Sequence, residues 1–332
     1  MAERPVEAVE TARELILAAA DGRDVMVWSS REPADLAEAV AFGGGRLIRI
    51  EDGFIRSPGL GAHFSPAYSL IFDDAGIYYD ATGPSGLETL LAKTDFSQDL
   101  LARAAALRAR LARGAISKYA VGRAGAAPET PAGRAHVLVV GQVEDDASIR
   151  FGGADIRANL ELLEAARALH PNAWIAYKPH PDVRLAGRPG HVPAQAALKH
   201  ADAIWSDMPI ATALDWAESV HTISSLAGFE ALLRERDVHI HGRPFYGGWG
   251  LTQDHAEMPA RRGRNLPLDA LVAATLILYP RYLDPVTRTP ATAEDLVDRF
   301  EAGWTDPLIG RPLWHRAASL AKRRLGPLRR WL

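Results

Sequence analysis

Short apolar runs alternate with amphipathic stretches along most of the 332-residue chain. The apolar runs have the length of buried strands, whereas the stretches between them repeat apolar residues at helical spacing. The pattern predicts strands at 25–28, 47–50, 68–72, 77–79, 136–140, 173–177, 202–205, 219–223 and 237–241. It predicts helices at 33–41, 84–93, 96–118 and 155–169. This alternation is typical of an α/β fold.

One segment interrupts the pattern. Residues 121–135 are rich in Gly, Ala and Pro and have no apolar period, which is typical of a linker. We therefore predict two Rossmann-like domains, an N-terminal one at 1–130 and a C-terminal one at 131–310. Two such domains facing a cleft make a GT-B-like arrangement, in which ligands bind at the carboxyl ends of the strands.

The composition narrows the class of protein. The chain has no cysteine, which excludes disulfides, thiolate metal sites and cysteine nucleophiles. A net charge of −3 gives no reason to expect nucleic acid as a partner. The N-terminus lacks the features of a signal peptide, and no segment has the roughly 20 apolar residues that span a bilayer. We therefore expect a cytoplasmic protein.

The C-terminal segment 311–332 differs from the rest. It carries seven Lys or Arg, no acidic residue and two tryptophans. This predicts a basic amphipathic helix. The helix either contacts an anionic membrane surface, which would make the protein peripheral on the inner membrane, or crosses back over the first domain. The two are not exclusive.

Two acidic segments follow predicted strands. Glu51 and Asp52 come after the strand at 47–50, where a carboxylate is placed to accept a proton from a hydroxyl. Arg56, in the same segment, is a candidate substrate-binding residue. The alternative is an acidic turn in which Gly53 supplies the bend.

The second acidic segment follows the strand HVLVV. Three consecutive acids, Glu144 to Asp146, are costly at a strand end unless they are solvated, paired or functional. Gln142 and Ser148 flank them as potential hydrogen-bonding partners. The segment therefore either contains a nucleophile or metal ligand, or is a solvated acidic loop.

Two further segments carry groups suited to a phosphate. Lys178 and His180 stand at a strand end beside prolines that stiffen the loop. Ser224 and Ser225 precede a predicted helix whose first N–H groups attract anions, and Glu230 lies further along it, within reach of a ribose hydroxyl. The alternatives are a structural loop with a surface lysine and a plain serine N-cap.

A glycine- and aromatic-rich loop follows at 242–251, GRPFYGGWGL. Such a loop either lies over a ligand or packs the two domains together. The sequence alone does not separate these two uses.

Seven motifs together resemble the capsular polysaccharide β-Kdo transferases, the KpsC family, over residues 25–290. In order they are EDGFIRSPGLG, GIYYDATGPSGLE, GQVEDDAS, YKPHPDV, SSLAGFEALL, PFYGGWGLT and ILYPRYLDP. The resemblance implies retaining transfer of Kdo from CMP-Kdo to a Kdo-primed lipid or glycan acceptor, in the synthesis of the linker that anchors a capsule.

The resemblance also implies roles for individual residues. Asp146 would be the nucleophile that forms a covalent Kdo intermediate, and Asp52, or else Glu51, the general acid/base. The remaining candidate substrate-binding residues are Gln142, Ser148, Lys178, His180, Ser224, Ser225, Glu230 and Arg56, with His180 and the two serines on the CMP phosphate and Glu230 on the ribose. The first domain would take the acceptor and the second the nucleotide sugar, with no metal and no cofactor beyond the donor.

This sequence departs from the family in one respect. Typical members carry two transferase modules in tandem, whereas this chain has one, so an alternating linker would need a partner Kdo transferase. Two other functions are compatible with the sequence. One is a GT-B transferase or epimerase that uses a different nucleotide sugar, and the other is a non-enzymatic capsule-assembly protein.

Overall fold

The structure is a computed structural model that describes residues 7–55, 67–114, 116, 126–185 and 187–304. Its strands are β1 (Val25–Trp28), β2 (Leu47–Asp52), β3 (Ser69–Asp73), β4 (His136–Val140), β5 (Trp174–Lys178), β6 (Ala203–Ile204), β7 (Ser219–Thr222), β8 (Asp237–Ile240), β9 (Gln253–Asp254), β10 (Arg281–Leu283) and β11 (Pro290–Ala291).

The α-helices of the described residues are α1 (Ala12–Ala20), α2 (Leu36–Gly43), α3 (Gly86–Lys93), α4 (Gln98–Arg113), α5 (Ala147–Gly152), α6 (Asn159–Leu169), α7 (Pro181–Leu185), α8 (Ala194–Ala197), α9 (Ile210–Trp216), α10 (Leu226–Leu232), α11 (Leu268–Val272) and α12 (Ala293–Glu301). A short 3-10 helix (Ser29–Arg31) follows β1, and a π-helix (Ala273–Leu278) follows α11.

The described residues form two compact units. The first contains 7–55, 67–77, 116 and 275–304, and the second contains 78–114, 126–185 and 187–274. Both combine a sheet with helices. The predicted α/β fold class is therefore confirmed, whereas the GT-B-like arrangement of two domains facing a cleft stays a prediction.

The sheet of the first unit has the order β1-β2-β3-β10-β11. Among these described strands β1 and β2 run parallel and the other pairs are antiparallel, so this sheet is mixed rather than fully Rossmann-like. Helices α1 and α2 cover one part of it, with Leu36 and Val40 packed on Val25 and Val27. The start of α1 is set locally, because Thr11 forms a capping box there.

The second unit contains a fully parallel sheet of the order β6-β5-β4-β7-β8-β9. Counted from β4, this is the strand order 3-2-1-4-5-6 of a Rossmann fold. The central strands are buried on both faces, as β7 shows by having all four of its residues buried, whereas both residues of the edge strand β9 are exposed. The order reverses between β4 and β7, which makes their carboxyl ends the expected place for a ligand.

The chain enters the second unit earlier than the predicted boundary at 130. Residues 78–114, including α3 and α4, belong to the second unit because ion pairs and packing attach them there. Arg108 of α4 pairs with Glu235 at 2.6 Å and with Asp269 at 2.9 Å. Glu88 of α3 is almost fully buried and accepts hydrogen bonds from Arg261 and Arg262.

The chain also returns to the first unit before the predicted boundary at 310. β10 pairs with β3, and the Tyr279 hydroxyl donates a hydrogen bond of 2.5 Å to Asp73. Arg299 of α12 donates to Asp284 at 2.9 Å. The predicted domains are contiguous segments, whereas each compact unit combines segments that are distant in sequence.

The predicted strand at 77–79 is wrong. β3 is already paired on both sides, with β2 and with β10, so no edge remains for a hairpin partner. The Asp73 carboxylate also turns the chain away by accepting hydrogen bonds from the N–H groups of Ala75 and Gly76. Tyr78 then packs edge-on against Phe245 in the second unit.

Four predicted features fall wholly or partly outside the described residues. These are Arg56, the segment 311–332, residues 121–125 of the linker, and residues 115, 117 and 118 of the helix predicted at 96–118. In the part of the chain that the structure does describe, no helix is both long enough and apolar enough to cross a membrane.

We expect the Arg262→Met substitution to lower the free energy of unfolding by about 3 kcal/mol, because it removes a fully buried cation from the buried Glu88 carboxylate. The matched control is Arg261→Met, whose side chain is 34% exposed although it contacts the same carboxylate. We expect it to cost about 1 kcal/mol or less. Denaturant unfolding measures both values, and equal losses would contradict the role of burial.

Candidate functional site

Three of the predicted segments meet at the carboxyl ends of neighbouring strands in the second unit. The loop GQVEDDAS follows β4, the loop with His180 follows β5, and Ser224 and Ser225 follow β7. Since β4 lies between β5 and β7 in the parallel sheet, all three loops leave the same edge. The structure thus brings together the predicted residues of these segments.

The side chain of Gln142 connects two of these loops across the point where the strand order reverses. Its Nε2 donates to the hydroxyls of Ser148, at 3.4 Å, and Ser224, at 3.3 Å. Its Oε1 accepts from the Ser224 N–H, at 2.8 Å, and from the Thr222 hydroxyl, at 3.3 Å. Gln142 is buried, and these four bonds use the full hydrogen-bonding capacity of its amide.

Asn159 holds the backbone of the same loop. The side-chain Oδ1 of Asn159 accepts a hydrogen bond from the Gln142 N–H at 2.8 Å. Its side-chain Nδ2 donates to the main-chain carbonyls of Gln142 and Gly190, each at 2.8 Å. Gly190 has φ +120, and a Cβ there would lie 2.7 Å from the Gln142 carbonyl oxygen. Sequence reasoning missed Asn159, because its partners are 17 and 31 residues away and an Asn at a helix start is common.

The three consecutive acids have three different environments. Glu144 accepts a hydrogen bond from the Asn159 N–H at 2.8 Å and so fixes the start of α6. Asp145 is exposed and pairs with Arg188 at 2.6 Å. Asp146 caps α5, because its Oδ1 accepts from the N–H of Ser148 at 2.9 Å.

Asp146 is exposed, yet the orientation of its carboxylate is restrained. The Ser148 hydroxyl donates to the same Oδ1 at 2.7 Å and accepts from Gln142, so one chain of hydrogen bonds runs from Ser224 through Gln142 and Ser148 to Asp146. Within the described residues, Oδ2 has no hydrogen-bond partner. A carboxylate held by one oxygen is suited to nucleophilic attack through the other.

His180 lies close to this carboxylate. Burial lowers the pKa of His180, and the carboxylates of Asp182 and Asp146 act in the opposite direction. The Asp182 N–H donates to His180 Nδ1 at 3.1 Å, so the neutral ring carries its proton on Nε2. His180 is therefore a neutral hydrogen-bond donor at the carboxyl end of β5.

Lys178 is the last residue of β5 and is buried. Burial lowers the pKa of its ammonium, while the Asp207 carboxylate acts to raise it. Among the described residues this ammonium forms neither a hydrogen bond nor an ion pair. A buried cation with no protein partner is the kind of group that binds an anionic ligand.

Ser225 caps α10 by accepting from the Ala227 N–H at 3.2 Å, so the N-cap predicted as the plain alternative is present. The glycine- and aromatic-rich loop at 242–251 packs against this turn. The Tyr246 hydroxyl donates to the Ser225 carbonyl at 2.5 Å, and a Cβ on Gly228 would lie 2.2 Å from that hydroxyl. Trp249 and Tyr246 are fully buried, so the loop has a packing role, while its two predicted uses stay predictions.

Glu230 lies five positions after the Ser225 cap in α10 and is buried. Its carbonyl accepts a hydrogen bond from Arg234 at 2.9 Å.

Glu51 and Asp52 lie in the first unit, as the last two residues of β2 rather than in a turn after it. Both are half-buried, and they pair with Ile71 and Leu70 of β3. Neighbouring residues of a strand point to opposite faces of the sheet. The two carboxylates therefore lie on opposite faces of the sheet. A single proton-transfer site at this end of β2 would use only one of them.

Comparisons with known proteins give a consistent result. Residues 23–282 match the family of capsule polysaccharide biosynthesis proteins. The chain is 48% identical over 249 residues to the capsule polysaccharide modification protein LipA of Neisseria meningitidis, covering 75% of this chain and 35% of LipA. The chain thus spans about a third of the length of this relative.

Two solved structures from Thermosulfurimonas dismutans KpsC are also similar. The β-Kdo 2,7 transferase is 36% identical with a TM-score of 0.72, and the match covers 89% of this chain and 90% of that one. The β-Kdo 2,4 transferase is 34% identical with a TM-score of 0.75, and the match covers 83% of this chain and 86% of that one.

We expect the Asp146→Asn substitution to lower the pKa of His180, because it removes a carboxylate that raises this pKa. An NMR titration of the histidine ring signals measures the change. The matched control is Asp155→Asn, another exposed acid whose charge does not act on His180. An unchanged His180 titration in Asp146→Asn would show that the two loops do not adjoin.

Proposed function

The chain belongs to the capsule polysaccharide biosynthesis protein family, and we propose that it is a retaining glycosyltransferase that moves Kdo from CMP-Kdo to a Kdo-primed lipid or glycan acceptor. The observation that carries the proposal is the Gln142 amide, which joins the Ser224 loop to the Asp146 carboxylate at the reversal point of the sheet. This arrangement supports the proposal because it brings the groups that we assign to the phosphate close to the carboxylate that we assign as the nucleophile.

The similarity to two solved Kdo transferases supports the choice of sugar. One is named as a 2,7 and the other as a 2,4 transferase, and their similarity to this chain is nearly equal. The proposal therefore covers Kdo transfer and leaves the linkage position open.

The leaving group is a cytidine monophosphate with a single phosphate. Lys178 supplies a positive charge, and His180 donates through Nε2–H. The Ser224 Oγ accepts from Gln142, so its own proton is available to a phosphate oxygen. Together these donors would stabilise the charge that develops as the bond to the sugar breaks. We assign Ser225 to the same phosphate and Glu230 to the ribose.

Retention follows from two displacements. In the first, a carboxylate oxygen of Asp146 forms a bond to the anomeric carbon of Kdo while the bond to the CMP oxygen breaks, and CMP leaves with the electron pair. In the second, the acceptor oxygen attacks the same carbon, loses its proton to a base, and the bond to Asp146 breaks. The carboxylate of Asp146 is then restored.

Glu51 or Asp52 is proposed as the base of the second step. The assignment rests on the family resemblance and on the position of both acids at the carboxyl end of β2. Because a lipid-linked acceptor resides in a membrane, we also propose that the protein works at the inner surface of one, with a partner Kdo transferase for an alternating linker.

We expect Asp146→Ala to reduce transfer from CMP-Kdo to a Kdo-primed lipid analogue by about a thousandfold or more, while CMP binding persists. The matched control is Asp145→Ala, which removes the neighbouring exposed acid and should leave the rate nearly unchanged. Intact-protein mass spectrometry with CMP-Kdo alone should show one added Kdo on the wild type and none on Asp146→Ala. Tighter binding of UDP than of CMP, or an unchanged rate in Asp146→Ala, would refute the proposal.

We expect Glu51→Gln and Asp52→Asn to have unequal effects, because the two side chains point to opposite faces of β2. Loss of the base slows the second displacement more than the first, so the variant that lacks it should accumulate the Kdo-bound protein while transfer falls. The other variant should resemble the wild type. Equal behaviour of the two variants would place the base elsewhere.

A further inference from the structure

The proposed donor carries a second anion, to which none of the steps above assigns a partner. Kdo is a 2-keto acid sugar, so its carboxylate is bonded directly to the anomeric carbon. When Asp146 attacks that carbon, the sugar carboxylate lies beside the loop after β4. Two carboxylates this close repel each other, which favours a cation between them and the solvent. Lys178 is already assigned to the phosphate, so the cation must be another residue.

The segment 187–190 lies against the loop after β4. The Pro189 carbonyl accepts a hydrogen bond from the Glu144 N–H at 3.1 Å. The next carbonyl, that of Gly190, accepts from the Asn159 side chain at 2.8 Å. Bonds to two consecutive carbonyls therefore fix this segment beside the loop that carries the proposed nucleophile.

Arg188 comes directly before these two bonds. Its N–H donates to the Asp182 carbonyl at 3.3 Å, so its backbone also contacts the helix that follows the loop of His180. Its side chain reaches the loop after β4, because Nη2 donates to Oδ1 of Asp145 at 2.6 Å. Asp145 immediately precedes Asp146 in the chain. The Arg188 guanidinium is therefore next to both loops of the proposed site.

The charges that act on His180 agree with this position. Burial has the largest effect on the pKa of His180 and lowers it. The carboxylates of Asp182 and Asp146 act to raise this pKa, whereas the cations Lys178 and Arg188 act to lower it. The proposed nucleophile, the proposed phosphate-binding lysine and Arg188 thus surround one imidazole.

The Arg188 guanidinium keeps most of its capacity for hydrogen bonds. It has five N–H donors, and Asp145 accepts from Nη2 alone. Among the described residues, Nε and Nη1 have no partner. One edge of the planar group therefore retains two parallel N–H donors, which is the geometry that binds both oxygens of a carboxylate. The backbone bonds of the segment, rather than this exposed ion pair, hold Arg188 in place.

Two other arginines near these loops have different surroundings. Arg150 lies in the last turn of α5, over an aromatic ring. Arg184 pairs with Asp207 at 2.5 Å. Among the described residues, neither side chain bonds to the acids at 144–146, whereas the side chain of Arg188 does.

We propose that Arg188 binds the carboxylate of the donor sugar through two N–H groups, an assignment that rests on the proposed transfer of Kdo. The contact selects donors of 2-keto acid sugars over donors of neutral sugars. It also weakens the repulsion between the sugar carboxylate and Asp146. Free CMP has no such carboxylate, so Arg188 strengthens binding of the nucleotide sugar and not of the nucleotide.

The test measures two constants on the purified 332-residue chain. The rate at which CMP-Kdo alone forms the Kdo-bound protein, followed by mass spectrometry, gives the half-saturating CMP-Kdo concentration. Calorimetry gives the dissociation constant of CMP. In Arg188→Met we expect the first constant to rise at least about thirtyfold and the second to change less than about threefold, because a charge-assisted contact is lost only when the sugar is present.

Two further variants define the contact. Arg188→Lys keeps the charge without the planar pair of donors, so we expect its half-saturating CMP-Kdo concentration to rise about tenfold. The matched control is Arg184→Met, which removes another half-exposed arginine that pairs with an aspartate. The charge of Arg184 acts on Lys178, so its loss acts through the phosphate and changes both constants by the same factor. The ratio of the two constants should then equal that of the wild type.

The outcomes separate this inference from the proposed function. A wild-type chain that binds CMP but forms no Kdo-bound protein would refute the proposed function, and the role of Arg188 with it. If the wild type forms the Kdo-bound protein, an Arg188→Met ratio equal to that of Arg184→Met would overturn the role of Arg188 alone. An equal rise of both constants in Arg188→Met would also overturn it, because the arginine would then act only on the shape of the loop.

Discussion

The arrangement of the second unit depends on one buried amide. Gln142 bonds to both neighbours of the reversal point, with its two donors on Ser148 and Ser224 and its acceptor on Ser224 and Thr222. A buried amide that makes all four bonds is stable in the interior, whereas one that loses a partner carries the cost of desolvation. The loops after β4 and β7 are therefore held in one relative position. Because Ser148 bonds to both Gln142 and Asp146, the Asp146 carboxylate is held relative to these loops as well.

The acids near this amide illustrate how environment separates chemically similar groups. Glu144 accepts a hydrogen bond from the Asn159 N–H, and Asp145 forms an ion pair with Arg188. Both carboxylates therefore stabilise the conformation of the loop. Asp146 is bound through Oδ1 only, by the backbone N–H and the hydroxyl of Ser148. Of the three, Asp146 alone is exposed, restrained through one oxygen and left with a second oxygen that no described residue contacts. That combination supports its proposed role as the nucleophile.

Much of the second unit could be predicted from sequence, because each buried parallel strand is a short apolar run followed by polar residues. The strands at β4, β5, β7 and β8 and the residues at their carboxyl ends follow from this pattern. The helices α3 and α4 were themselves predicted, but the unit to which they belong could not be, since it depends on Arg108 and Glu88 finding partners more than a hundred residues away. The role of Asn159 also depends on contacts with loops that are 17 and 31 residues away.

The first unit was harder to predict for a related reason. An apolar run at 77–79 has the composition of a strand, yet its place beside β3 is taken by β10, a segment about two hundred residues later in the chain. The local apolar pattern indicates that a segment can form a strand, but it does not determine with which strand that segment pairs. The local composition therefore predicted a hairpin that residues 69–79 do not form.

The early entry of the chain into the second unit bears on how chains of this family could be recombined. A C-terminal module excised at the linker near 130 would lose α3 and leave the guanidinium of Arg262 in the interior without the Glu88 carboxylate. An exchange that begins near residue 78 and ends near 274 keeps that pair intact. Chimeras between relatives should respect this unit rather than the glycine-rich linker that the sequence suggests as the joint.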